Sequence, residues 1–143
     1  MFVGQSEHSI DQQGRVALPV SYRGELSDAK LVLVKGYFEK CLWLFETTEY
    51  GKMIDPFTDT VFDERKRGMV RYFTGSADHV ELDSAKRFRI SPEKQEFAEL
   101  DKRVLFVGAA NHIELWNPAE FETYMEEIDV GKLTEELMGQ AAS

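Results

Sequence analysis

The sequence of 143 residues holds one cysteine, Cys41, so neither an internal disulfide nor a cysteine-based zinc site is open to it. It has no long apolar run either. The longest clean stretch, Leu31–Val34, is far short of the roughly 20 residues that cross a bilayer. Residues 1–15 carry Glu7, His8 and Asp11 and lack the basic start and apolar segment of a secretory signal. Basic charge is scarce: 17 Lys and Arg stand against 26 Asp and Glu, a net charge of −9. That balance disfavours a surface that binds nucleic acid or anionic membrane all round. Low-complexity segments are missing too. The expectation is a cytoplasmic globular chain of one ordinary domain or two very small ones. Its 43% hydrophobic and 12% aromatic residues suffice for a real core.

The acid is unevenly spread. Residues 114–143 hold eight acids (Glu114, Glu120, Glu122, Glu126, Glu127, Asp129, Glu135 and Glu136) against the single base Lys132. Residues 1–113 hold 18 acids and 16 bases, so a locally basic face is possible there.

The chain also repeats itself. At an offset of 72, Asp11 falls on Asp83, Arg15 on Arg87, Val32-Leu33 on Val104-Leu105 and Gly36 on Gly108. One extra residue in the second copy brings Leu42-Trp43 onto Leu115-Trp116. Ordered identities inside matched apolar patterns argue for duplication, and two units of about 50 residues would share one core.

Each copy reads alike. Arg15–Leu18 and Arg87–Ile90 alternate, which puts arginines and apolar residues on opposite faces of short strands. Pro19 and Ser91-Pro92 open short helices, with Ser91 as N-cap. Leu31–Val34 and Val104–Val107 read as strands buried on both faces, with Cys41–Phe45 and Ile113–Trp116 as their partners. A helix is expected over Thr47–Ile54, stopped by the turn at Asp55-Pro56, and a connecting helix over Asp63–Phe73, weakened by Gly68. A last helix starts at Asn117-Pro118, carries Phe121, Tyr124, Met125 and Ile128 on one stripe, and stops near Gly131. The divisions that follow are a first repeat 1–54, a connecting segment and helix 55–73, a second repeat 74–130 and an acidic C-terminal tail or helix 131–143. Met53, Met69, Met125 and Met138 read as packing residues, as does the Tyr72-Phe73 stripe.

The repeated element is Asp11-Gln12-Gln13-Gly14-Arg15, continued by Val-Ala-Leu-Pro. An Asp at the first position of a turn accepts nearby backbone N–H groups, and Gly suits the fourth. Turn chemistry alone requires no arginine after the turn, yet both copies have one. With the opening Glu7–Arg15, Gly36 followed by Cys41-Leu42-Trp43-Leu44, Arg71–Ala77 and Ile113–Trp116, the sequence resembles the MraZ family over nearly its whole length. These are bacterial regulators encoded with the division and cell-wall gene cluster. The resemblance implies an α+β, mainly β fold: two AbrB-like swapped-hairpin units closing into one pseudo-two-fold β-barrel with peripheral helices. It also implies binding to promoter repeats in double-stranded DNA, ring assembly and a nucleoid-associated place in the cytoplasm. Two departures stand out: Lys86 replaces the family's Gly in the second turn, and Ser91 replaces a usual Pro.

The expected DNA-binding residues are Arg15, Lys86, Arg87 and Arg89, since arginine forks onto guanine or phosphate and lysine neutralises phosphate. Asp11, Gly14 and Asp83 are expected to structure the turns. Arg65-Lys66-Arg67 with Arg71 reads as the polar face of a helix, or as a second DNA surface. His8, His79 and His112 lack metal-ligand spacing, so no metal, cofactor or membrane is expected. The rival reading is a hydrolase in which Asp11 and Asp83 share a proton and activate water, although the arginine after each would hold both ionised. A third reading is an oligomeric scaffold with no DNA role.

Overall fold

The computed structural model describes residues 1–26, 30–59 and 62–142. In chain order these form β1 (Gln5–Ser9), β2 (Arg15–Ala17), α1 (Val20–Leu26), β3 (Leu31–Lys35), β4 (Leu42–Glu46), α2 (Thr47–Thr58) and α3 (Glu64–Gly75). The second half runs β5 (Asp78–Val80), β6 (Arg87–Arg89), α4 (Pro92–Phe97), β7 (Arg103–Gly108), β8 (Ile113–Trp116), α5 (Pro118–Glu126) and α6 (Val130–Ala142). The architecture is α+β. Six antiparallel strands form one sheet in the order β1-β7-β8-β4-β3-β5, and β2 and β6 form a separate antiparallel pair. Among the described residues the sheet is open, with β1 and β5 as its unjoined ends, so its ladders do not form the closed barrel that the resemblance implies.

The sheet order reads the same from either end once first-half strands are exchanged for their second-half counterparts. Strand β1 pairs with β7, β5 with β3, and β4 with β8, where Trp43 lies opposite Glu114. One face of the sheet presents Leu31, Leu33, Leu42, Leu44, Val104, Phe106, Ile113 and Leu115 to the main core. Val16, Leu18, Phe88 and Ile90 close over them, and Tyr22, Leu26 and Ala98 fill the sides. The β2–β6 pair therefore lies across the inner face of the sheet.

The registers correct the repeat alignment. Leu31 and Leu33 face the main core and Val32 and Val34 face away from it, whereas in β7 the core residues are Val104 and Phe106. Val32 is thus the counterpart of Leu105, and Leu33 of Phe106, one residue away from the sequence match. An identity match that slips by one residue swaps the faces of a strand. Leu33 pairs with Leu44 as Phe106 pairs with Leu115, so Phe45, and not Trp43, corresponds to Trp116. The connection after β3 is longer than that after β7, which hides this in the sequence.

Other expectations also shift. Strands β1 and β5 were not legible, because Gln5–Ser9 has no apolar alternation and takes its order from β7. Helix α2 runs through Pro56 to Thr58. The extra turn is held by Phe57 packing on Phe73 at 5.4 Å and by the Thr58 hydroxyl donating to the Asp55 carbonyl at 3.0 Å. Gly68 is inside a full-length α3, whose N-cap Asp63 accepts from the Arg65 and Lys66 N–H groups. Gly131 is no stop. Helix α5 ends at Glu126, and Asp129 caps a further helix, α6, by accepting from the Lys132 N–H at 3.1 Å. Ser91 and Asn117 cap α4 and α5 as expected.

The outer face of β3 and β4 is sealed by a second cluster in which Val32, Val34 and Phe45 meet Tyr50 and Phe73 from α2 and α3. There the Tyr50 hydroxyl donates to the Phe73 carbonyl, and Met53 and Met69 pack alongside. Among the described residues the outer face of β7 and β8 is covered by α5, through Phe121 and Tyr124 on Trp116, each 5.2 Å between ring centres. Leu105 and Val107 are accordingly half-exposed, so β7 is not buried on both faces. Met125 and Met138 are exposed and are not packing residues, and Tyr72 is exposed while Phe73 is buried.

A helix residue ties each half to the start of its own segment. Tyr22 donates its hydroxyl to the Gly4 carbonyl at 3.1 Å, and Lys94 donates from Nζ to the Ser76 carbonyl at 2.6 Å and to Asp78 at 2.8 Å. Lys94 is the one buried charged residue among those described. Lys94→Met leaves the Ser76 carbonyl without its donor, and is expected to cost about 1–3 kcal/mol in denaturant unfolding. An unchanged midpoint would show that this tie does not stabilise the fold.

Candidate nucleic-acid interface

The two Asp-to-Arg turns are built alike. In the first, Asp11 Oδ1 accepts the N–H groups of Gln13 and Arg15, both at 2.9 Å, and Oδ2 accepts Arg15 Nε at 2.8 Å. In the second, Asp83 Oδ1 accepts from the N–H groups of Ala85 and Arg87, both at 2.9 Å, and Oδ2 accepts Arg87 Nε at 3.0 Å. The turn bonds match as well: Gly14 N–H donates to the Asp11 carbonyl at 3.0 Å and Lys86 N–H to that of Asp83 at 2.9 Å. The turns are also stitched across the ladder. Ile90 N–H donates to the Gly14 carbonyl at 2.8 Å, and Leu18 N–H to the Lys86 carbonyl at 2.9 Å.

The fourth turn residue has left-handed backbone in both cases, with φ of 80° at Gly14 and 61° at Lys86. At Gly14 a side chain is doubly excluded, because a Cβ would come within 2.9 Å of the Ile90 carbonyl oxygen and 2.7 Å of Gln95 Nε2. Lys86 adopts the same conformation at a cost of roughly 1–2 kcal/mol relative to right-handed backbone. A cation thus occupies a position where glycine would be easier.

Val16 and Phe88 face the core and lie opposite each other in the β2–β6 ladder. Alternation sends their neighbours Arg15, Ala17, Arg87 and Arg89 to the outer face. Arg15 is directly opposite Arg89, and Ala17 opposite Arg87. Like charges opposite one another across a ladder are destabilising unless an anion lies between or over them. Arg89 also donates from Nε to the Gln13 carbonyl at 3.3 Å, which draws its guanidinium toward the first turn, and Arg15 donates to the Gln13 amide oxygen at 3.3 Å. The structure thus brings Arg15, Arg87 and Arg89 onto one ribbon with Lys86 at its end. A cleft of about 600 Å³ beside Lys86 is lined by Lys30, His79 and Glu81. The sequence reading missed Lys30, because only the pairing of β3 with β5 brings that part of the chain to the second turn.

The other basic run is elsewhere. Arg65 pairs with Asp63 at 3.4 Å and Lys66 with Asp59 at 2.7 Å on α3, whose buried residue Phe73 belongs to the outer cluster. Helix α5 also lies outside. Ile113 and Leu115 point to the main core, so Trp116, on which α5 packs, is on the opposite face of the sheet from the β2–β6 ribbon.

The Arg15 backbone N–H, opposed in part by lost solvation, and then the Arg15 side chain and the Gln13 N–H hold the Asp11 carboxyl below its ordinary value of 3.8. The Arg87 and Ala85 groups do the same for Asp83, again with the Arg87 backbone N–H foremost. A proton-sharing carboxyl pair would have one member raised. Here both are lowered, each by its own arginine. Among the described residues no cluster of three or more His, Cys, Asp or Glu side chains could hold a metal ion, and no helix is long and apolar enough to cross a membrane.

A carboxyl with a lowered folded-state pKa stabilises the fold above its unfolded value and loses that contribution as pH falls through the lowered value. Asp11→Asn and Asp83→Asn should therefore lose less stability than the parent between about pH 5 and pH 3. Parallel losses in urea melts would mean the carboxylates are not so engaged. Lys86→Gly should raise stability by about 0.5–1 kcal/mol, the left-handed cost less glycine's added unfolded-state entropy.

The model of the family described as "MraZ protein, putative antitoxin-like" matches this chain twice, over residues 1–71 and 73–138. A protein of Thermoanaerobacter pseudethanolicus named "Transcriptional regulator MraZ" is 36% identical over 132 residues, covering 91% of this chain and 90% of its own. Proteins of the same name from Alkaliphilus oremlandii and Treponema pallidum are each 33% identical. They cover 87% and 90% of this chain, and 86% and 87% of their own.

Proposed function

This chain belongs to the MraZ family, and from that premise we propose that it is a sequence-specific DNA-binding transcriptional regulator of the division and cell-wall gene cluster. The carrying observation is the β2–β6 ribbon, where Arg15, Arg87 and Arg89 share one outer face and Arg15 lies directly opposite Arg89. The DNA backbone relieves this like-charge contact, because phosphate oxygens accept from both guanidiniums. A two-stranded ribbon also fits a major groove about 12 Å wide. Lys86 neutralises phosphate at the edge. Asp11 and Asp83 accept each Arg Nε and orient the guanidiniums toward guanine, while Gly14 and the left-handed Lys86 give the turns their shape.

In this reading the ribbon caps two AbrB-like units, 1–54 and 74–130, which complete a pseudo-two-fold barrel-like body joined through 55–73, with 131–143 as an acidic tail. The protein works in the cytoplasm at the nucleoid, on promoter repeats, as a homo-oligomeric ring. One subunit supplies few cations on an acidic protein, so affinity comes from several ribbons held together at high effective concentration.

Binding is tested by fluorescence anisotropy on labelled duplexes from the region upstream of its own gene. Arg15→Ala and Arg87→Ala are each expected to weaken binding by about 1–3 kcal/mol and lower the salt dependence. Unchanged affinity in both variants would sink the reading. Tandem repeats spaced near one helical turn, about 10–10.5 base pairs, should bind far more tightly than one repeat. Insertion of about half a turn should abolish most of the gain. Equal affinities for all three duplexes would leave only independent weak sites.

A further inference from the structure

Helix α6 is an amphipathic helix that buries none of its described side chains. Every described side chain from Val130 to Gln140 is exposed, yet Val130, Leu133 and Leu137 recur at i, i+3 and i+7 on one face. Leu137 and Met138 are 61% and 67% exposed. Its counterpart in the first half fares differently. The two matches to the family model end within α3 and within α6, so each half closes on a helix at the corresponding place. Helix α3 buries Phe73 against α2, whereas α6 buries none of its described side chains.

Helix α3 has an open face of its own. Arg65, Gly68 and Tyr72, at i, i+3 and i+7, are exposed, as are Arg71 and Gly75. A Cβ at Gly68 or Gly75 would meet nothing within 4 Å. A mid-helix glycine costs about 1 kcal/mol relative to alanine, and close approach by another backbone is a use for it. Beside this face Tyr72 stacks on Tyr37 at 5.0 Å, and the next residue, Phe38, is 89% exposed. The surface is aromatic at its centre and basic at its edges.

We infer that α6 of one copy docks on the α3–Phe38 surface of a second copy, apolar stripe against Gly68, Tyr72 and Phe38. Charge selects this occupant. Helix α3 and its cap carry Arg65, Lys66, Arg67 and Arg71 against Asp63 and Glu64, while α6 and its cap carry Asp129, Glu135 and Glu136 against Lys132. Pairing α6 with a second α6 would set acid against acid and leave the basic face uncovered. The two surfaces differ and lie on one chain, so each copy uses one to give and one to receive. Such a head-to-tail contact generates a ring when its rotation closes. This deepens the self-assembly within the proposed function and rests on that part of the reading, while the contact itself needs no DNA.

The test uses two full-length variants with complementary lesions. Leu133→Glu with Leu137→Glu spoils the giving helix, where both residues are exposed and outside the core. Gly68→Glu spoils the receiving face, in open space and with a better helix former than glycine. Circular dichroism and thermal melts verify that each folds. Light scattering after size exclusion is expected to show assemblies for the parent, monomers for each variant alone, and a 1:1 dimer on mixing, because one intact contact remains. A monomeric parent, variants that assemble like the parent, or a mixture that stays monomeric would each overturn the contact. Anisotropy on a single DNA repeat runs alongside. Retained single-repeat binding with failed mixing refutes the contact alone, and successful mixing with no DNA binding refutes the DNA reading alone.

Discussion

Strand β1 forms its ladder with β7, and β5 forms its ladder with β3, so each half of the chain supplies an edge strand to the other. That exchange is the constraint from which the rest follows. Neither β1 nor β5 has a ladder partner in its own half among the described residues, and an extended segment with open N–H and C=O groups is not stable alone. The halves must therefore fold together. Val16, Leu18, Phe88 and Ile90 then have one shared sheet face to cover, and they cover it by pairing β2 with β6. The cationic ribbon is in this sense a by-product of core closure: residues that point inward force Arg15, Arg87 and Arg89 outward.

The turns at the ribbon's ends are rigid because each has one carboxylate serving three donors. Asp11 and Asp83 fix the backbone through Oδ1 and the guanidinium through Oδ2. A guanidinium held through Nε has little rotamer freedom left to lose when it meets a ligand, and at Arg15 one terminal nitrogen is held as well, donating to the Gln13 amide oxygen at 3.3 Å. The left-handed fourth residue completes the turn in both copies. Gly14 is confined there by the Ile90 carbonyl, whereas Lys86 accepts backbone strain and adds a charge.

Local chemistry was legible in the sequence and long-range exchange was not. The Asp-to-Arg turns, the Ser91 and Asn117 caps and the two-faced burial of β3 follow from residue type and periodicity over a few positions. Strands β1 and β5 follow from neither, since Gln5–Ser9 and Asp78–Val80 become strands only by pairing with the other half. The slip between β3 and β7 has the same origin. Identity placed Val32 on Val104, and only the register shows that one faces out and the other in. Pro56 and Gly131 misled because a breaker is a local preference, and the contact of Phe57 with Phe73 and the Asp129 cap outweigh it. Of the candidate site, the four cations were named from sequence, but the opposition of Arg15 and Arg89 was visible only in the ladder.

If the ribbon binds DNA as proposed, the net charge of −9 serves as a specificity device in this arrangement. Exposed charges farther apart than about 10 Å are largely screened at 0.1 M salt, so acids on the outer sheet face and in α6 do little to the contact at the ribbon itself. They act at longer range and in the encounter, where they lower the affinity for arbitrary duplex that any basic surface has. A single ribbon then has too few cations to hold DNA against that background. The same acids gain a second use if they face the basic α3 of a neighbouring copy, because neutralising each other within the assembly leaves the ribbons as the dominant exposed cations. Acidic composition and DNA binding then become two consequences of one layout, in which charge is sorted by face and affinity exists only when several faces are presented together.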